Sequence, residues 1–180
     1  MGPLDDVNCM ICFFLHYSSL ITDRMPMEAK FINPFIKATI EVIHTMAHVN
    51  TKASKPYLKK DDLATGDVST VVGLTGKING TFSISFDEKS ILKIASGLFG
   101  EELTELDKEV AEVAGELANM ISGQARREIE TLGMLLDGSI PSVITGRNHN
   151  ILHLTDGPKI AIPFSIPGVG NFTKELCFER

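Results

Sequence analysis

The stretch LDKEVAEVAGELANMISGQARREIETL, Leu106 to Leu132, decides how this chain is read. Advanced at about 100° per residue, it sorts into distinct faces, which is the period of a helix and not of a strand. Leu106, Val110, Val113, Leu117, Met120 and Ile121 fall on a broad apolar arc that has to be covered. Ala111, Gly115, Ala118, Ser122 and Ala125 form a neighbouring strip of small side chains, along which a second helix or a sheet can approach the backbone closely. Glu112, Glu116, Asn119, Gly123, Arg126 and Arg127 occupy the remaining face, which is expected to look at solvent or at a partner.

Function is expected on that polar face. Glu116 and Asn119 are three residues apart, so their side chains stand about 60° apart around the axis, one above the other. A carboxylate and a carboxamide held together on a rigid rod can engage one small target at once. Glu112 lies four residues before Glu116, a like-charge spacing that costs a few tenths of a kcal/mol in a helix. Gly115 and Gly123 each cost up to about 1 kcal/mol against alanine. Such costs beside the Glu/Asn pair imply close approach, at Gly115 to the body of the protein and at Gly123 to an incoming molecule.

The segment GELANMISG, preceded by Leu106-Asp107 and followed by PSVITG at Pro141 to Gly146, resembles the CheC/CheX/FliY family of chemotaxis phosphatases, most closely its CheX branch. The likeness runs from about Met27 to the C-terminus and includes MEAKFINPFI and VGLTGKINGTFSISF. The family motif is an acidic or hydroxyl residue, three residues, Glu, two residues, Asn, and later a proline. Glu116 and Asn119 fill the Glu and Asn positions, Glu112 takes the first, and Pro141 falls near the proline. The resemblance implies an α/β domain of the α+β type, with two long helices packed on a mostly antiparallel sheet and a pseudo-twofold internal repeat. It also implies an activity, hydrolysis of the aspartyl phosphate of a CheY-like receiver domain. Asn119 would orient the attacking water and Glu116 would dock onto the receiver's lysine, with Glu112 and Gly123 as further contacts. No cofactor of its own is expected; Mg²⁺ belongs to the partner receiver. A homodimer is implied as well. The competing reading is a non-catalytic adaptor that binds a receiver or a flagellar-switch component.

Composition is consistent with these expectations. The 180 residues suffice for one sizeable core. A net charge of −6, with no basic run beyond Lys59-Lys60 and Arg126-Arg127, argues against nucleic acid and against an anionic membrane surface. Cys9, Cys12 and Cys177 are too few for a disulfide scaffold and point to a reducing, cytoplasmic compartment. The lone Cys9-x-x-Cys12 has no second pair at zinc spacing, and no metal site is expected. His149 and His153 read as surface loop residues.

Along the chain, Phe31 to His48 reads as a first helix, with Pro34 near its start where a missing N–H is tolerated. Asn50 to Asp62 reads as a loop. Val68 to Leu74 and Ile78 to Phe86 flank Thr75-Gly76-Lys77, the strongest hairpin signal, and Phe82, Ile84 and Phe86 alternate with serines as on a strand with one buried face. Asp87 precedes a short helix from Glu88 to Leu98, ended by Gly97 and Gly100. A polar turn at Asp137-Gly138 precedes strands at Ser142 to Thr145, Lys159 to Phe164 and Asn171 to Phe178. The last reads as an exposed edge, shielded by Lys174, Glu175 and Glu179 or available for pairing across a twofold axis.

Residues 1–26 read as an extension outside the domain of residues 27–180. Val7 to Ile21 is apolar but shorter than the roughly twenty residues that cross a bilayer. Deleting residues 1–26 is expected to leave folding and activity intact; loss of soluble, helical protein, measured by gel filtration and circular dichroism, would overturn this.

Overall fold

The computed structural model describes residues 25–179. Val7 to Ile21 and the Cys9/Cys12 pair lie outside them. The described residues form one eight-stranded antiparallel sheet with helices on one face. Helix α1 is Met25–Ala47, α2 is Glu88–Phe99 and α3 is Lys108–Thr131. The strands are β1 (Lys52–Ala53), β2 (Tyr57–Lys59), β3 (Val68–Gly76), β4 (Gly80–Phe86), β5 (Leu136–Gly138), β6 (Ser142–Thr145), β7 (Lys159–Ile166) and β8 (Gly170–Phe178).

The strand order is β1-β7-β8-β4-β3-β5, with β2 also on β7 and β6 also on β3. A long helix, a pair of short edge strands and a two-stranded hairpin thus follow one another twice along the chain. In each case the short strands pair with the hairpin of the other half. Asn50 to Asp62 and Asp137-Gly138, expected as loop and turn, therefore hold short strands. Their runs are too brief and polar to alternate visibly, and only pairing to β7 and β3 makes them extended.

The N-terminal helix starts at Met25, ahead of the expected Phe31 and two residues before the expected domain start at Met27. Pro34 consequently lies inside α1 rather than in its first turn. Its missing N–H leaves the carbonyl of Lys30 without an intrahelical donor, and Lys30 is exposed to water. Helix α2 has the expected N-cap, Asp87, whose carboxylate accepts from the Ser90 N–H at 2.7 Å, and a left-handed Gly100 ends it at φ 75°. Gly97 has a different role. A Cβ there would lie 2.1 Å from the Ala47 carbonyl oxygen, so it lets α2 touch the end of α1.

Strand β8 is not an edge. It lies between β7 and β4 over its whole length, and Lys174 and Glu175 are fully buried. The charges misled because each is satisfied inside. Glu175 meets Lys59 and, at 3.2 Å, His153 on the face away from the helices, where loops cover the sheet. Lys174 points to the helix face, donates to the Phe35 carbonyl at 2.8 Å and to Thr39 Oγ1, and sits over the Phe35 and Phe82 rings. Glu179 alone of the three is at the surface, accepting from the Asn79 backbone and amide, which hold its carboxyl below the usual range.

The second sheet face is buried too, contrary to the expectation of one. Ser69, Thr81, Ser83, Ser85 and Glu175 lie under the loops that precede β3 and β7. Ser69 and Ser85 bond each other at 2.6 Å, and Thr81 Oγ1 accepts from the Leu154 N–H at 2.9 Å.

Burial pushes the Lys174 ammonium well below the usual lysine range. An unfolded lysine titrates near 10.4, so over the interval between the two pKa values the unfolded chain holds the extra proton and stability rises with pH. Lys174→Met keeps the side-chain length and removes the buried amine. It is expected to stabilise the fold by roughly 1–3 kcal/mol at neutral pH and to flatten the rise of stability towards pH 10, as read by urea unfolding across that range.

Candidate active site on helix α3

Helix α3 starts at Asp107, whose carboxylate accepts from the Val110 N–H at 2.9 Å. Val110, Val113, Leu117 and Ile121 are buried, as the periodicity requires. Met120 is the exception: it is 37% exposed. It stands one turn beyond Glu116 and about 40° round from it, closer to the polar arc than to Leu117. The small strip is buried as expected, with Ala114 added to it.

The strip has a physical purpose. A Cβ on Gly115 would meet Val143 Cγ2 of β6 at 3.0 Å, so the glycine lets β6 lie directly against the helix. A Cβ on Gly138 of β5 would meet Ser122 Oγ at 3.2 Å and the Arg126 guanidinium at a similar distance. On the other flank α1 is tied to α3 by Glu41 with Gln124 and by Lys37 with Glu128 at 3.3 Å. Helix α3 is therefore gripped from both sides, and one stripe of it is left open.

Glu112, Glu116 and Asn119 are all exposed on that stripe, and Gly123 is partly so. Glu112 is paired with Lys108 at 3.5 Å, a solvated i,i+4 contact worth a few tenths of a kcal/mol. Arg127, also exposed, reaches back along the stripe until one of its terminal nitrogens would lie 3.8 Å from a Cβ on Gly123. Arg126 turns the other way, with a long 3.4 Å contact to the Leu136 carbonyl. The open stripe thus presents an acid, an amide, a bare backbone patch and a guanidinium in order along one rod. A carboxamide beside a carboxylate can accept from water and donate to an oxyanion while the acid binds a cation.

The histidines are not the surface residues expected. His153 has 3% of its side chain exposed, against Glu175, and His149 bridges the Gly146 carbonyl and Ser69 Oγ at 2.6 and 2.7 Å. Both fasten the loop before β7 to the sheet. Among the described residues, no group of three or more His, Cys, Asp or Glu side chains is placed to hold a metal ion. No described helix is long and apolar enough to cross a membrane.

Sequence reading missed the apolar residues beside the stripe. Ile140, Val143 and Met120 are all exposed. Ile140 and Val143 sit in a run too short to show periodicity, and only the contact of β6 with Gly115 reveals where they lie.

Comparison with known proteins gives concordant results. A family model described as chemotaxis phosphatase CheX matches residues 68–165. The CheY-P phosphatase CheX of Thermotoga maritima is 30% identical over 151 residues, covering 83% of this chain and 96% of that protein. The crystal structure of the chemotaxis protein CheX from Vibrio vulnificus is 40% identical with a TM-score of 0.78, covering 84% of this chain and 100% of that one. A CheX in complex with CheY, BeF₃ and Mg²⁺ from Borrelia burgdorferi is 30% identical with a TM-score of 0.69, covering 83% and 98%.

Gly123→Ala has room for its methyl group, since the nearest atom is the far end of Arg127. The substitution is expected to raise stability by up to about 1 kcal/mol through helix propensity, read as a shift in the urea midpoint.

Proposed function

The chain belongs to the chemotaxis phosphatase CheX family, and on that footing we propose that it hydrolyses the aspartyl phosphate of a CheY-like receiver domain through the open stripe of α3. The observation that carries this is the outward placement of Glu116 and Asn119, together, on a helix clamped from both sides.

Hydrolysis of an acyl phosphate needs one water in line with the leaving carboxylate oxygen. Water attacks phosphorus, the bond from phosphorus to the carboxyl oxygen breaks, and inorganic phosphate and the aspartate carboxylate result. Asn119 supplies position: its Oδ1 accepts from the water while its Nδ2 donates to a phosphoryl oxygen, adding no charge to an anionic site. Glu116 bridges to the receiver's lysine and fixes the register of α3 on its partner. Glu112 adds a rim contact. Gly123, one turn from Asn119, gives the receiver's loops access to the backbone. Mg²⁺ is bound by the receiver, where it neutralises phosphoryl oxygens, and not by this chain; the BeF₃- and Mg²⁺-containing complex of the Borrelia relative supports that division. The reading carries a cytoplasmic location, since the acyl phosphate is made and spent there.

A homodimer is part of the same proposal. With β8 in the centre of the sheet, the edges open to pairing among the described residues are those at β1–β2 and β5–β6.

Asn119→Ala is expected to abolish accelerated phosphate release, a loss of at least about a hundredfold, while affinity for the phosphorylated receiver stays within a few fold, because a positioning group acts in the transition state. Glu116→Lys is expected to raise the half-saturating receiver concentration and lower turnover together. A full rate in Asn119→Ala, in a phosphate-release assay with CheY-type receivers, would end the assignment.

A further inference from the structure

Strands β5 and β6 run beside α3, and two contacts fix their level along it. Gly138 abuts Ser122 and Arg126, and Val143 abuts Gly115. The link between them, Ser139 to Ser142, is thereby drawn level with the turn of α3 that carries Asn119. Ile140 projects from this link with 89% of its surface exposed.

A single exposed isoleucine is ordinary. Three features set this one apart. It is held rather than loose: the Ser139 N–H donates to the Gly73 carbonyl at 2.9 Å, and the Gly73 N–H donates to Ser139 Oγ at 2.9 Å. Pro141 fixes the backbone on its other side. It is also not alone, for Val143 is 40% and Met120 37% exposed, so apolar side chains flank the Glu116/Asn119 pair on both sides of the helix. Finally, polar contacts at the centre of a docking surface hold a partner best where apolar contacts around them keep competing water out, and Ile140, Val143 and Met120 stand in that position around Glu116 and Asn119.

We infer that Ile140, with Val143 and Met120 beside it, is the apolar anchor onto which the phosphorylated receiver docks, closing the rim around Asn119. This rests on the phosphatase reading of α3. Ile140 touches neither water nor phosphorus; its role is to hold the receiver in place, and its loss acts on affinity.

The test uses the full chain, CheY-type receivers loaded with beryllofluoride and Mg²⁺ for binding, and the same receivers phosphorylated for turnover. Ile140→Ser and Ile140→Asp are expected to fold with unchanged melting temperature. Both are expected to raise the dissociation constant and KM by about tenfold, Asp more than Ser, with kcat within about twofold. Unchanged binding and KM in both variants would overturn the inference. So would an altered oligomeric state in sedimentation with unchanged KM, which would assign Ile140 to contact between copies. If the wild type binds receivers without hastening hydrolysis, the phosphatase reading fails while the anchor is still decided by the binding titration. A wild type that does neither overturns both.

Discussion

The close seating of α3 rests on side chains that are nearly absent. Gly115 and Ser122 leave β6 and β5 almost at the helix backbone, Ala114, Ala118 and Ala125 are buried beside them, and Val110, Leu117 and Ile121 fill the core beneath. Larger residues on the strip would lift the edge strands off the helix, and the open stripe would lose the wall on its β6 side. The fixed presentation of Glu116 and Asn119 depends on that wall. A rod held by α1 on one flank and by β6 on the other presents its polar side chains from a fixed platform.

The opposite side of the sheet follows a different logic. There serines, threonines and Glu175 are buried beside Ala161 and Cys177, and the covering segments are fastened by Thr81 to Leu154, by His149 to Ser69 and by the Lys59–Glu175–His153 cluster. Such a layer adds little net stability, because desolvation offsets most of what the ion pairs gain. It does specify which loop lies where, since a misplaced loop leaves a charge buried and alone. Lys174, on the helix side, is satisfied by a carbonyl, a hydroxyl and two rings.

Much of this was legible in the residues. The period of Leu106 to Leu132, the Asp87 cap, and the hairpin around Gly76 are local signals that survive folding. Glu116 and Asn119 were legible as an outward pair from spacing, and the CheX-like motif singled them out as candidates. What stayed hidden depended on pairing at long range. The strands β1, β2 and β5 exist only because β7 and β3 lie beside them. The central place of β8 was masked by Lys174 and Glu175, whose charges argue for an edge until their buried partners are known. Met120 sat on the border of two arcs, where a few tens of degrees decide the side. Ile140 carried no signal at all, since its meaning comes from the height at which β5 and β6 cross the helix.

The exchange of short strands between the two halves of the chain has a bearing on how this protein comes into being. Neither half can complete its own part of the sheet: β3 waits for β5 and β6, which are made later, and β7 waits for β1 and β2, made long before. On the ribosome the first half emerges with the flank of β3 bare, so the nascent chain carries a sticky border until its sister segment arrives. Assembly is in this sense a mutual embrace, entropically slow to begin and hard to undo piecemeal. Severed between α2 and α3, the two pieces would be complementary rather than independent, each a template the other needs.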